Sequence, residues 1–500
     1  MSVQKTEHKL TTEEALAYSK IESWVKARVS EKPSPFTLQD AIAASGIEAA
    51  ILEPVLSNLI ARYSCRLQVT ENGELIFDFD APLKRLNQKP LEDYAKEILS
   101  FLWKGFQLFF KAWIALTLVV YFSLFVVILI AIILGLAFSG DNKKNKNSLD
   151  VSALGKVFDV FFSIFRFSTV ISNTTRATDQ FGYDYKKFKP KPSVLNENKK
   201  GFVASVYDFV FGPPRVEKDI LSDEKEVLAF LRENAGVISQ TEVMALSGRD
   251  QKSAAHFFAR CAGKFGGIIK VSENGSIYAV YDEVLIGKDA AETKSIEYYW
   301  DEYEPKFEFS SNTVGRDMLI GAMNFFNLAM SLFMLNLIWE LPSPSIQIII
   351  NAFKANDLND PFIWFFSFAP FIFSFLFFII PFIRAFWIIK MNQKLHEINI
   401  RKRFWKSAFV TKGSPKSLKE FEGLVNANSK EEKITGSIFN LYFEKLKTEL
   451  GFEMTADSDG TYRVSFPQLH LELNDVQALR EKRNLAPKLG KVILDTGKSN

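Results

Sequence analysis

At 500 residues the chain is too long for one compact core, so several units are expected. Its 61 Lys and Arg against 58 Asp and Glu leave a net charge of +3, too small to argue for nucleic acid or an anionic substrate on global charge. Apolar residues, 48 Phe among them, fall in blocks that mark a membrane protein with soluble parts, while two Cys and four scattered His give no disulfide, zinc or iron–sulfur spacing and imply no cofactor or metal.

In chain order, Met1 to Leu16 is polar and lacks the apolar core of a signal peptide, which places the amino terminus in the cytoplasm. Helical periodicity runs from Thr12 to Val29, Thr37 is the expected cap residue of a second helix, and a third follows Ser45-Gly46 from Ile47 to Tyr63. Two β-prone runs around Asn72-Gly73 then form a hairpin. This segment recurs at an offset of 202 residues, where Ser247-Gly248 and Asn274-Gly275 repeat the two dipeptides without a gap. The helices of the second copy are expected at Glu224 to Glu233, Ser239 to Leu246 and Lys252 to Ala262, with Ser239 as cap. Three helices followed by a two-stranded wing is the order of a winged helix, and a weaker third copy is expected between Ser414 and Leu473, around Ser458-Asp459-Gly460. Cys65 and Cys261, each just before a hairpin, are expected at equivalent places as core thiols.

Between Ala112 and Phe138 no residue is charged, and such a helix reaches about 40 Å, more than the hydrocarbon layer of about 30 Å. Leu319 to Trp339 and Pro361 to Ile383 are further spans. Val151 to Ile171 carries Lys156, Asp159, Ser163 and Arg166 on one face and either crosses or lies in the interface. Basic flanks at Lys186 to Lys191 and Arg384 to Lys406 face the cytoplasm by the positive-inside rule, which gives four spans; Lys143, Lys144 and Lys146 point the other way. The expected class is therefore α+β, tandem winged-helix-like cytoplasmic domains joined by about four transmembrane helices. The expected units are domain 1 at 1–86, a linker helix with the first and the uncertain span at 87–175, a basic linker at 176–217, domain 2 at 218–295, a transmembrane hairpin at 296–400, module 3 at 401–480 and a tail at 481–500.

Phe209-Val210-Phe211-Gly212-Pro213-Pro214, Asn324-Phe325-Phe326-Asn327-Leu328, Pro381-Phe382-Ile383-Arg384, Asn392 and Ile398-Asn399-Ile400-Arg401 together resemble an uncharacterised family of multi-pass membrane proteins of cyanobacteria, other bacteria and plastids. The resemblance covers roughly residues 200 to 405 and implies winged-helix-like modules beside membrane spans, with no catalytic residue to carry over. An iron–sulfur-assembly role attached to some plant members needs cysteines that this chain lacks.

Three groups of residues are candidate contacts. Arg249, Lys252, His256 and Arg260 recur every three or four residues on one helix face, a pattern suited to phosphates or bases or to an ordinary solvated face, whereas Glu48 and Glu53 on the corresponding helix of the first copy would repel phosphate. Asn324, Asn327 and Ser331 share one face of a span and suit interhelical hydrogen bonds or, alternatively, a transport path. Arg401, Lys402, Arg403 and Lys406 suit anionic lipid headgroups or only fix orientation. With no phosphate-cradling loop, nucleophile elbow or metal-spaced His pair, the expected function is a non-catalytic inner-membrane scaffold or adaptor, both termini cytoplasmic, presenting winged-helix modules to cytoplasmic protein partners and contacting membrane lipids. A membrane-tethered regulator binding nucleic acid through domain 2 and a small transporter or channel are the alternatives.

Overall fold

A computed structural model describes residues 11–86, 91–138, 201–213, 219–288, 296–302, 304, 306–339, 361, 364–427, 433–456, 458, 460–483 and 489–497. The span expected at Val151 to Ile171 and the basic run Lys186 to Lys191 lie outside these residues.

Helix α1 (Thr12–Arg28) starts in a capping box between Thr11 and Glu14 and buries Ala17, Tyr18, Ile21 and Val25, a single helical face. After strand β1 (Phe36–Thr37), Thr37 caps α2 (Leu38–Ser45): its hydroxyl accepts the Asp40 N–H at 3.3 Å, and the Asp40 carboxylate accepts the Thr37 N–H at 2.9 Å. Gly46 ends α2 with φ +71°, a left-handed conformation that costs a glycine no Cβ clash. Helix α3 (Ala49–Arg62) and a hairpin of β2 (Cys65–Thr70) and β3 (Leu75–Phe79) complete the first module.

The chain next forms α4 (Leu91–Phe138) and, after the residues outside description, α5 (Phe202–Phe211). A second module follows with α6 (Ser222–Glu233), β4 (Val237–Ser239), α7 (Gln240–Ser247), α8 (Gln251–Phe265), β5 (Ile268–Val271) and β6 (Ile277–Val280). The 202-residue offset holds in three dimensions: Phe36 pairs with Phe77 as Ile238 pairs with Ala279, and Thr37 with Ile76 as Ser239 with Tyr278. The cysteines do not follow it. Cys65 opens β2, whereas Cys261 lies inside α8, and at this offset their counterparts are Gly267 and Leu59. Nearness to a hairpin in sequence is a poor guide here because a helix residue and a strand residue separated by one turn occupy different layers. Cys261 is nonetheless core, and burial pushes its thiol up to about 12.

Helix α9 (Val314–Trp339) and, after a π-helical turn at Trp364–Phe368, α10 (Ala369–Val410) complete the bundle. Among the described residues three helices are long and apolar enough to cross a membrane, within Ile98–Leu134, Val314–Asn336 and Trp364–Val410. Their outward side chains, such as Phe325, Phe375, Phe382 and Phe386, form a large exposed apolar surface of the kind that a bilayer would cover. Part of the stretch expected as a basic linker is instead apolar α5, whose Val206, Phe209 and Val210 pack among Ile114, Leu118, Ile320, Met323 and Phe377. Nor does α10 stop at residue 400; it runs unbroken from the bundle into the third module and contributes Phe404, Trp405 and Phe409 to that module's core.

The third module adds β7 (Lys416–Ser417), α11 (Leu418–Asn426), α12 (Gly436–Leu450), β8 (Glu453–Ala456), β9 (Tyr462–Ser465) and α13 (Pro467–Lys482). Its cap, Ser417 with Glu420, matches those of the other two, and all three sheets share one strand order, β1-β3-β2, β4-β6-β5 and β7-β9-β8. The modules pack as one body. A continuous core joins Ile21, Phe36 and Val55 to Leu228, Leu231 and Val284, and another joins Met244 and Ala254 to Trp300, Trp405 and Phe421. Across the first junction Arg232 meets the buried Asp40 carboxylate at 3.0 Å. Strand β10 (Val492–Asp495) then returns to pair antiparallel with β2, making the first sheet four-stranded.

Candidate interaction surfaces

The basic face expected on α8 is largely neutralised from within its own module. Arg249 pairs with Asp223 and lies 4.0 Å from the Phe257 ring centroid, while Arg260 donates to Glu224 at 3.2 Å and lies 5.0 Å from the same ring. Both carboxylates come from the first turn of α6. Lys252 and His256 remain exposed on the helix, so the structure brings the four predicted residues onto one face but turns only two of them to solvent without an ion pair to that turn. Asp250, beside them, caps α8 through the Ser253 N–H.

The cluster after the last span is engaged more completely. Lys402, 1% exposed, donates to Glu304 at 3.0 Å and to the Glu302 carbonyl; Arg403 donates to the Val425 carbonyl and Asn426; Lys406 pairs with Asp301 at 3.1 Å; and the Arg401 Nε–H is shared between both Glu449 carboxylate oxygens at 2.9 Å. A headgroup role for these four would require breaking contacts that fix α10 to the third module, through Arg401 and Arg403, and to Glu304 and Asp301, through Lys402 and Lys406. Sequence spacing gave a stripe of cations, but the helix bearing it is enclosed by module 3 and by Tyr299–Asp301. Arg401, Trp405 and Glu449 also line an open groove of about 440 Å³, with Lys394 and Lys445 at its rim.

Within the bundle, Asn324, Asn327 and Ser331 are fully buried on one face of α9, as their spacing predicts. The Asn324 amide donates to the Ser374 carbonyl of α10 at 3.0 Å, and the Asn327 amide to the Leu118 carbonyl of α4 at 3.1 Å; Ser331 donates within its own helix. Asn324 and Asn327 therefore tie three helices together, and among the described residues their side-chain oxygens and the Ser374 hydroxyl have no partner. The other motif residues act in the same way. Arg384 donates to the carbonyls of Asp208, at 3.4 Å, and Phe209, at 3.1 Å, closing the carboxyl end of α5, and a Cβ at Gly212 would fall 2.3 Å from its guanidinium. Asn392 bonds both backbone groups of Phe307 at 2.9 Å.

The contact that sequence reasoning missed is the tail. Arg66 donates to Asp495 at 2.6 Å, Gln68 to the same carboxylate at 3.3 Å, and the Thr496 N–H to the Leu67 carbonyl at 3.0 Å. The run Val492-Ile493-Leu494 is a strand signal, but its partner lies more than 420 residues away and nothing local names it. Helix α13 makes a comparable clasp on the second module, where Asp475 accepts from Ser272, Asn274 and Ser276, each at 2.7 Å, and Arg480 holds Glu242 and the Val237 carbonyl. Hydrogen bonds from Ser272 foremost, then Ser276 and Asn274, hold the Asp475 carboxyl below its ordinary value. Among the described residues no group of three or more His, Cys, Asp or Glu could hold a metal ion.

The fold and these surfaces define a membrane protein whose extramembrane modules are stitched into one body. Family models, curated proteins and solved structures offer no match to the chain.

Proposed function

We propose that this protein is a non-catalytic membrane scaffold that holds three winged-helix modules at the cytoplasmic surface of the inner membrane as a platform for protein partners. The observation that carries the reading is the internal pairing of Arg249 and Arg260 with Asp223 and Glu224: the arginine on the helix that a DNA-binding winged helix would present to the major groove, and the one just before that helix, both pair with acids of their own module. A surface built this way suits a partner recognised by shape and strand edges better than one recognised by phosphate charge. Support for the anchoring role comes from α10, which connects span and module as one helix and so orients the platform against the bilayer. The test is affinity capture of the full-length chain from native membranes after mild cross-linking. A partner recovered at a fixed ratio to the chain is expected, and repeated recovery of the chain alone would sink the proposal.

A further inference from the structure

The modules share a strand order, but among the described residues only the first has a strand on its outer edge. Strand β10 covers β2, whereas β5, the counterpart of β2, has no strand beyond it among the described residues. Along β5 the side chains Ile268, Ile269 and Val271 are 58%, 47% and 65% exposed, an apolar strand edge of the kind that proteins otherwise cover or charge.

The 202-residue offset allows the occupied edge to be read onto the open one. On β2 the Leu67 N–H and carbonyl face the tail, bonding the Thr496 hydroxyl at 2.9 Å and the Thr496 N–H at 3.0 Å, and the Glu71 N–H donates to the Lys491 carbonyl at 2.8 Å. The corresponding outward backbone positions on the second module are Ile269 and Glu273. Val69, opposite Leu494, is matched by Val271, and Gln68, opposite Asp495, is matched by Lys270. An acid that β2 receives through Arg66 and Gln68 would thus meet a lysine on β5. The turn that touches the tail, Glu71-Asn72-Gly73, is repeated in sequence as Glu273-Asn274-Gly275, but there Asn274 is held by Asp475 of α13, so what carries over is the strand edge and the Glu273 N–H rather than the Asn side chain.

We propose that the outer edge of β5 receives, as an added antiparallel strand, an extended segment of a partner protein in which aliphatic residues precede an acidic one. The assignment rests on the platform reading and names the partner's chemistry. Backbone bonds to Ile269 and Glu273 supply the pairing, and the acid opposite Lys270 sets the register. The occupant comes from another protein because each copy's own tail is consumed on β2.

The probe is a labelled peptide of residues 489–497, titrated by fluorescence anisotropy against the full-length protein in lipid nanodiscs. Saturable binding is expected, weakened at least tenfold by Lys270→Glu and recovered when that variant meets a peptide with the Asp495→Lys change. Ile269→Pro, which removes an outward N–H but no bond to β6, should abolish it. Absence of saturable binding overturns the proposal. So does binding that survives both changes and is lost with Gln68→Glu, since the peptide would then only exchange with the tail on β2. Self-association of the protein that Lys270→Glu abolishes would assign the edge to a second copy and overturn the partner assignment. Partner capture from native membranes that is undiminished by Lys270→Glu removes this edge but leaves the platform, whereas capture that fails with the unaltered chain removes the platform itself.

Discussion

Single residues hold the module junctions, and their chemistry sets what acid and substitution will do. Asp40 completes the capping box of α2 by accepting the Thr37 N–H, accepts the Lys288 N–H at 3.0 Å and pairs with Arg232, all at a place 4% exposed. Arg232→Ala leaves that carboxylate buried without its cation and should cost about 3 kcal/mol or more, read as a lower melting temperature of the purified protein. Burial pulls the Asp219 carboxyl upward, but hydrogen bonds from Lys225 and Lys20 prevail and hold it well below the usual carboxylate range. Asp495 is held at about 2, first by the hydrogen bond from Arg66. Both are depressed acids, so their contribution is present above the unfolded value of about 3.9 and is lost as pH falls through the folded one. Hydrogen–deuterium exchange, corrected for intrinsic rate, should show β10 equally protected from pH 7 to about pH 4 and released only below that window. Release between pH 7 and pH 5 would contradict the role given to the Arg66–Asp495 pair.

At the scale of the element, what could be read from sequence was whatever local chemistry dictates. Thr37 and Ser239 cap because a hydroxyl before a helix meets orphan N–H groups, Asn72-Gly73 and Asn274-Gly275 turn because Gly73 and Gly275 take φ +85°, and an uncharged run as long as Ala112 to Phe138 forms a helix long and apolar enough to cross a membrane because nothing in it resists hydrocarbon. Less legible was where charges go. The partners of Arg249 and Arg260 lie 26 and 36 residues upstream on another helix, and the cations of 401–406 meet groups up to 153 residues away, so helical spacing could predict a shared face but not its solvent exposure. Two predictions separate these cases. Arg260→Ala should destabilise the second module, because Glu224 is only 6% exposed, while duplex DNA binding by the full-length protein stays within the non-specific range of about 10⁻⁴ to 10⁻⁶ M at physiological salt; nanomolar affinity that falls steeply with salt would reverse the reading of α8. Asn324→Leu removes one interhelical bond and relieves an unpartnered oxygen, so thermal unfolding in detergent should shift by about 1 kcal/mol or less; collapse of the bundle would show that the carboxamide does more than join α9 to α10.

Across the whole molecule, the repeated modules pack into one body. Three modules of equal strand order would be separate beads if only their sequence spacing mattered, yet the first and third pack against the second, and the last thirty residues bind back across two modules through Asp475, Arg480 and β10. The third module has no separate first helix because the end of α10 takes that place, which is why its helices match the other copies poorly in sequence while its cap and sheet match them well. Long-range closure of this kind depends on which surfaces meet after folding, and neither periodicity nor turn chemistry records it. A platform so assembled is expected to work with something bound. The most direct measurement is the mass of the particle released from native membranes in polymer-bounded lipid discs, read by native mass spectrometry. The account predicts a species that contains the 56.9 kDa chain and a second polypeptide in fixed ratio; a spectrum holding only the chain or its integer multiples would contradict it.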